Sequence, residues 1–225
     1  MFSVLFEVEP RPDQRDAYLT HAQMLTPELE HVAGFVDDIS YRSLTRDGWL
    51  LSLSSWRDEK ALVRWRTAKR HHAAQDKGRS RILSNYRLRV GQITADTNVP
   101  AGYRLEEQRL DETAVGEGTT IVLITDTRPR EWSGTSNAPD CAEWLGLDPY
   151  ALDMVSWDVF EALQTPAALM LMLVFKDQAS ADRFADIVIL KPGARLRQVR
   201  IVRDYGMFDR REAPQYYPDA RHHAV

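Results

Sequence analysis

Hydrophobic and polar positions along the first half of the chain predict a short series of strands and helices. Residues 3–8 alternate with the period of a strand, and a helical stretch follows to about residue 32. Two further strands, at residues 35–44 and 49–56, flank the turn Arg46-Asp47-Gly48. Asp58 is placed to cap a helix that runs to about Gln75, and residues 85–93 read as a fourth strand. The predicted order is βαββαβ.

The same order recurs in the second half of the chain. Its predicted elements are a strand at 120–125, a short helix at 141–145, strands at 152–161 and 169–176, a helix to about 189 and a strand at 196–205. The longer helix is preceded by Asp177 as a cap, just as Asp58 precedes the helix of the first half. In each half an aromatic residue, Trp56 or Phe175, stands two positions before that cap.

This repeat predicts an α+β protein made of two tandem ferredoxin-like halves. The first half covers residues 1–95, a linker covers 96–118, the second half covers 119–208 and a tail covers 209–225. Each half alone would leave one face of its sheet uncovered. Residues 168–174, however, are apolar on both sides of the predicted strand, which is typical of a sheet buried on both faces. We therefore expect the two sheets to pack together as an intramolecular dimeric α+β barrel. The alternative is two independent domains on a linker.

Composition and charge narrow the classes of partner. The chain has 225 residues, 44% of them hydrophobic, and a net charge of -4 with no sustained basic stripe, which argues against a nucleic-acid partner. The longest apolar run, 167–175, is too short to span a membrane, and no signal peptide is recognisable, so we expect a cytoplasmic protein with a small-molecule substrate. Cys141 is the only cysteine and is predicted to be a small buried hydrophobe.

The helix that begins at Asp58 carries the most informative side chains. At 100° per residue Leu62, Trp65 and Ala68 share the face that should point at the sheet. His72, seven residues after Trp65, returns to that face, and His71 lies to one side. An imidazole facing a pocket could ligate a metal or haem iron, or move a proton near neutral pH. The alternative is a histidine pair that solvates the end of the helix.

These residues resemble the antibiotic biosynthesis monooxygenase family of the dimeric α+β barrel superfamily. The resemblance covers the first 93 residues and is carried by Val4-Leu5-Phe6-Glu7-Val8, Gly34-Phe35, Leu53-Ser54-Ser55-Trp56-Arg57-Asp58-Glu59-Lys60-Ala61-Leu62, Trp65 with a downstream His, and Tyr86-Arg87-Leu88-Arg89-Val90. In the second half the resemblance is one of layout. It implies the barrel fold and an oxidoreductase of monooxygenase type.

Small haem-degrading monooxygenases of the same superfamily are similar in this helix. Their pocket Trp is matched by Trp65, and their proximal haem ligand by His71 or His72, which would then be the cofactor-binding and metal ligands here. The interval between Trp and His is shorter in this chain, and Glu7 stands where those enzymes carry an Asn. Ring oxidation of the kind that the Asn supports is therefore not implied.

Three functions are left as alternatives. The first is a haem-dependent monooxygenase-like enzyme acting on a small molecule in secondary metabolism, with Trp65 and Glu7 as catalytic residues. The second is cofactor-independent oxygenation of an electron-rich aromatic substrate, with Trp65 and Tyr86 lining the cavity and a His or Glu7 as base. The third is a non-catalytic protein that binds haem or another small ligand.

The second half predicts how many sites to expect. Phe184 occupies the position of Trp65, and Leu190 and Lys191 occupy those of His71 and His72. One active site per chain is therefore predicted, with the second half as a scaffold that replaces a partner subunit. An internal pseudo-dimer of this kind predicts a monomer or a weak homodimer.

Other polar residues have both a chemical and a structural interpretation. Arg87 and Arg89 alternate with apolar neighbours on strand four, so they could bind the carboxylates of a haem or an acidic substrate, or form a salt-bridged seam of the barrel. Asp37-Asp38 reads as a solvated strand start. Residues 203–211 could form a lid over the barrel mouth or a packed C-terminal extension.

Overall fold

The computed structural model describes residues 1–132, 134 and 137–214 of the chain. The elements of the first half are β1 (Phe2–Pro10), α1 (Arg15–Glu30), β2 (Phe35–Ser43), β3 (Leu50–Trp56), α2 (Glu59–Arg66), α3 (Lys69–Lys77), a π-helical turn (Gly78–Ile82) and β4 (Leu83–Asp96). Those of the second half are β5 (Thr120–Thr127), α4 (Ala138–Trp144), β6 (Met154–Ala162), β7 (Ala168–Phe175), α5 (Gln178–Ile187) and β8 (Arg195–Gly206). The predicted repeat is confirmed.

Both predicted helix caps are present. The carboxylate of Asp58 accepts a hydrogen bond from the backbone N–H of Ala61 at 2.7 Å, and that of Asp177 accepts one from Ser180 at 2.8 Å. An acidic cap satisfies a backbone donor that the first helical turn leaves unpaired. The two halves therefore start their main helices with the same device.

The eight strands close into one barrel. Each half forms a four-stranded antiparallel sheet, β4-β1-β3-β2 and β8-β5-β7-β6, and the two sheets join where β4 pairs with β8 and β2 with β6. The first seam is long, whereas β2 and β6 pair over residues 41–43 only. Because the halves share both seams, the expectation of an intramolecular barrel is confirmed and the alternative of two independent domains is wrong.

Strand alternation separates an inner core from two outer cores. One face of every strand points into the barrel, where Leu5, Leu53, Leu123 and Met170 belong to the central apolar cluster. The other face is covered by helices: α1 and α2 lie over the first sheet, with α3 in contact with α2, and α4 and α5 lie over the second. Cys141 is fully buried in the outer core of the second half, as predicted, and burial raises the pKa of its thiol.

The segments outside the repeat pack against it. In the linker the backbone N–H groups of Gln108 and Arg109 donate to the side-chain oxygen of Gln92 on β4. After β8 the carboxylate of Glu212 accepts hydrogen bonds from Ala114 and from the backbone of Asp204. Residues 209–214 are thus a packed extension, and the rest of the predicted tail lies outside the described residues. No helix of the described part is long and apolar enough to cross a bilayer.

Candidate active site

The helix predicted over residues 58–75 is interrupted, which changes which histidine faces the sheet. α2 ends at Arg66 with Thr67 as its C-cap, and Ala68 is extended, with ψ of 132°, before α3 begins at Lys69. The break resets the helical phase, so His71 rather than His72 turns inwards. The ring of His71 lies edge-on to Trp65 with centroids 4.3 Å apart, whereas His72 is exposed. The prediction that His72 returns to the Trp65 face is wrong for this reason.

His71 is held as a neutral imidazole. Burial, together with the neighbouring charge of His72, lowers the pKa of His71 to about 4. Its Nδ1 is buried and has no hydrogen-bond partner among the described residues. A buried polar atom without a partner costs stability, so it is a natural contact point for a bound molecule.

Beneath these helices the centre of the first sheet is not fully covered. Five side chains there point at the helices yet remain partly exposed: Val4, Phe6, Ser52, Ser54 and Leu88. Both ends of the same strands are closed, since Phe2, Val8, Leu50 and Trp56 are at most 2% exposed. Partly exposed positions in the middle of a covered sheet, surrounded by buried ones, leave an accessible patch, here called the floor.

The second half has no such floor. The β-sheet registers place Val122, Ile124, Leu171, Leu173 and Leu196 at the positions of those five residues. All of them are buried, with at most 4% exposure, beneath α4 and α5. At the position of Trp65 stands Phe184, whose ring packs on Phe175 with centroids 5.3 Å apart. In the described residues the partly exposed floor is therefore specific to the first half.

Polar groups lie at one side of this floor. The hydroxyl of Ser52 donates to the carboxylate of Asp38 at 2.9 Å. Burial raises the pKa of Asp38, and burial together with the Asp38 charge raises the pKa of Tyr18 on α1. Asp38 is thus a covered carboxyl that faces the helices. Its interpretation as a solvated strand start is wrong, because the sequence gives no sign that α1 covers this part of β2.

An arginine and two tyrosines lie at the opposite side of the floor. Arg66, at the end of α2, lies close enough to Tyr205 to oppose the rise of its pKa, which burial and Tyr86 bring to about 12. The Nε of Arg66 is buried without a hydrogen bond, and the side chain forms no ion pair within the described ranges. The hydroxyl of Tyr86 accepts hydrogen bonds from Arg79 at 3.1 Å and Arg210 at 2.5 Å. No motif in the sequence distinguished Arg66 from the other arginines of the helix.

Glu7 lies on the opposite face of the sheet from Trp65 and His71. It points into the barrel and is 3% exposed, where its carboxylate pairs with Arg89 and, at 2.6 Å, with Arg46. Burial alone would raise the pKa of Glu7, but these guanidinium groups outweigh it and lower the pKa. A catalytic site that combines Glu7 with Trp65 is therefore not formed, because neighbouring positions of a strand face opposite sides.

Arg87 and Arg89 also face the barrel interior. Arg87 makes two hydrogen bonds to Asp204, at 2.6 and 3.0 Å, and Arg89 pairs with Glu7. The salt-bridged seam, one of the two interpretations of these arginines, is the one observed. A haem held by His71 would lie on the helix side of the sheet, so neither arginine could reach its carboxylates.

Haem fits the residues around His71 only in part. A neutral, inward-facing imidazole is what an axial ligand requires. An axial histidine, however, normally donates its second ring nitrogen to a carbonyl or carboxylate, and the Nδ1 of His71 has no such partner in the described structure. The side chains present thus do not orient this ring as a ligand, and no group of three or more His, Cys, Asp or Glu residues in the described ranges could hold a metal ion.

A barrel of two ferredoxin-like halves, with a partly exposed floor under the helices of the first half, defines the class of protein, and comparison with known proteins places it more closely. The sequence pattern described as "Antibiotic biosynthesis monooxygenase" matches residues 1–77. The protein "Jasmonate monooxygenase ABM" of Pyricularia oryzae is 44% identical over 225 residues, which cover 98% of this chain and 100% of that protein. The chain belongs to the antibiotic biosynthesis monooxygenase family and is a monooxygenase-type oxidoreductase.

Solved structures agree at the level of fold. The crystal structure of aldoxime dehydratase has a TM-score of 0.55 with 10% identity, over 89% of this chain and 80% of that chain. A crystal structure titled antibiotic biosynthesis monooxygenase has a TM-score of 0.37 with 13% identity, over 44% of this chain and 100% of that chain. At such low identity the first supports the barrel architecture alone.

Proposed function

We propose that this enzyme oxygenates a small, largely apolar carboxylate bound between α1–α3 and the outer face of the first sheet. The observation that carries the proposal is the partly open floor formed by Val4, Phe6, Ser52, Ser54 and Leu88, set against its fully buried counterpart in the second half. The apolar members of the floor suit a hydrocarbon body. Jasmonate, the compound in the name of the Pyricularia oryzae relative, is a carboxylate of this kind.

In this proposal Arg66 binds the carboxylate. Its guanidinium stands at the edge of the pocket beside Tyr205, with a buried and unpartnered Nε. Guanidinium and carboxylate match in geometry and charge, and such pairs are stronger than neutral hydrogen bonds. The anchor would orient the substrate so that its reacting carbon lies against Trp65 and His71.

His71 acts as the proton acceptor in a reaction that needs no cofactor. It removes a proton from a carbon activated by an adjacent carbonyl, and the resulting carbanion stabilises the imidazolium beside it. The carbanion reduces dioxygen and combines with it to give a hydroperoxide, which loses water. A CH₂ group and O₂ thus become a C=O group and H₂O, so the four electrons that the carbon loses are those that dioxygen gains. The buried pocket keeps bulk water from the carbanion.

Oxygen consumption with jasmonate as the probe tests this proposal. We expect uptake of O₂ without added reductant and a product heavier by one oxygen and lighter by two hydrogens. The variant Arg66→Met should raise KM roughly 10- to 100-fold, which corresponds to loss of a charge-assisted hydrogen bond. Arg64→Met, on the same helix but exposed and bonded to the Ala33 carbonyl, is the matched control and should leave KM unchanged.

Haem at His71 is the alternative, favoured by the one observation that this imidazole is inward-facing and neutral. Bound haem would supply the activation of dioxygen, and Trp65 would pack beside it. Titration with haem should then give a Soret band that is lost in His71→Ala and kept in His72→Ala. A protein that takes up no haem and still consumes O₂ excludes this alternative and supports the cofactor-independent reaction.

A further inference from the structure

The two halves of the barrel interior are related residue by residue. In the first half Leu5 of β1 lies opposite Arg89 of β4, and in the second half Leu123 of β5 lies opposite Arg197 of β8. The matching registers make Arg89 and Arg197 equivalent positions. By the same registers the position of Glu7 corresponds to Thr125.

One pair of ionic contacts obeys this symmetry. Arg87 of β4 binds Asp204 of β8, and its equivalent Arg195 of β8 binds Asp96 of β4 at 2.6 and 2.9 Å. These two bidentate pairs link the long seam at both ends of the barrel. Charge balance is thus repeated from one half to the other at these positions.

The second pair breaks the symmetry. Arg89 is neutralised by Glu7, but Arg197 has Thr125 in the place of that carboxylate. Arg197 is only 4% exposed and forms no ion pair within the described residues. Its single hydrogen bond there runs from Nη1 to the Ser55 hydroxyl at 3.3 Å, and its Nε is buried without a partner. A guanidinium withdrawn from water in this way is costly unless an anion compensates it.

The unpaired guanidinium borders a half-open cavity of about 260 Å³ at one end of the barrel. Its walls combine Tyr41 and Thr125 with apolar side chains, among them Leu53 and Leu169. The cavity reaches the surface beside residues 37–39, where β2 has left β6, and Ile39 at this point is 39% exposed. A small molecule can therefore enter the cavity from the surface and fit within it.

The charged groups near Arg197 do not neutralise its guanidinium, so one more anion would be favourable there. Burial lowers the pKa of Arg197, and the nearby charge of Arg195 lowers it further. Asp37 and Asp96 oppose this effect, but Asp96 is already bound to Arg195 and Asp37 forms no ion pair with Arg197 in the described structure. Asp126 stands at the wall of the cavity. Two acidic groups near the entrance disfavour multiply charged anions, so a monoanion is preferred.

We propose that this cavity is a second ligand site, in which Arg197 binds the carboxylate of a small monoanion with an apolar body. The site lies on the inner face of the sheets and is separate from the pocket beneath α1–α3. The ligand supplies the counter-charge that Glu7 supplies to Arg89. Nε and Nη2 form the edge of a guanidinium that takes a carboxylate side-on, and Nη2 is the group that Ser55 leaves without a bond.

Benzoate, with neutral benzamide of the same shape as control, tests the proposal on the whole chain. Benzoate at constant ionic strength should raise the melting temperature in a saturable manner and shift the Arg197 Nε–H signal in ¹H–¹⁵N spectra. Benzamide should do neither. Thr125→Glu places a carboxylate where the symmetry calls for one, so this variant should have a higher melting temperature without ligand and no response to benzoate.

Two further variants keep the test decisive. Arg197→Met removes the uncompensated charge and should be at least as stable as the wild type without ligand, and should not respond to benzoate. Arg200→Met, on the same strand but on the outer face and paired with Glu107, should retain the full response. Equal responses to benzoate and benzamide, or a benzoate response that survives in Arg197→Met or Thr125→Glu, would overturn the proposal.

Discussion

The ring of His71 meets the ring of Trp65 edge-on, with centroids 4.3 Å apart, although the two residues belong to different helices. The contact exists because α2 ends at Arg66 and α3 starts in a new phase. It distinguishes the two adjacent histidines, since one is half-buried against an aromatic ring and its neighbour is exposed.

His71→Gln should therefore abolish most of the activity. Loss of a positioned proton acceptor typically lowers kcat by about 10²- to 10⁴-fold, and we expect a fall in that range with little change in KM. His72→Gln is the matched control and should retain wild-type kcat. Steady-state O₂ uptake measures both, and equal losses in the two variants would contradict the assignment.

The stability of the fold should depend on pH through His71. Its pKa is about 4 when folded, against 6.5 for an unperturbed histidine, so the unfolded chain binds the proton more readily. The contribution of His71 is therefore fully present above pH 6.5 and is lost as the pH falls towards 4, by at most about 3 kcal/mol. Urea unfolding at pH 7.5 and pH 5 should show a larger drop for the wild type than for His71→Gln. Parallel drops would refute the linkage.

The Glu7 network is predicted to act in stability rather than in chemistry. Glu7→Gln leaves Arg89 buried without its counter-charge, which should cost about 3–5 kcal/mol of unfolding free energy. The double variant Glu7→Gln/Arg89→Met should recover much of that loss. Chemical denaturation gives the free energies, and kcat measured well below the melting temperature should stay near the wild-type value. A large fall in kcat in the folded variant would show that Glu7 takes part in the reaction.

The closed barrel predicts a monomer. Two seams join the half-barrels, β4 with β8 and β2 with β6. Both are formed within one chain, so no second subunit is needed to supply them. In the described barrel the sheet edges left open are short ones, where β2 and β6 diverge outside their three paired positions. Light scattering coupled to size-exclusion chromatography should give the mass of one chain, 25.8 kDa, at micromolar concentrations. A stable mass of twice that value would show a further interface.

Sequence patterns predicted the fold well and the site only in outline. The repeat, both acidic caps and the barrel follow from local alternation and from sheet faces that neither half can cover alone. The face occupied by His72 was misassigned because periodicity extends a helix through Ala68, and a one-residue break in backbone conformation leaves no mark in a pattern of polarity. Asp38 and Arg66 were missed because their roles depend on contacts with α1 and β8, which are distant in sequence.

The central claim is that the open floor of the first half is where the substrate binds, and the second half provides the control. Ser52→Leu/Ser54→Leu gives the first-half floor the side chains of Leu171 and Leu173. Isothermal titration calorimetry, with jasmonate titrated into this variant and into the wild type, measures the two affinities and tests the claim directly. We expect a folded variant with no detectable binding. Its melting temperature should be lower than that of the wild type, because the Asp38 carboxylate and the Trp56 Nε1–H each lose a serine partner at 2.9 Å. Unchanged affinity for jasmonate in the variant would contradict the account.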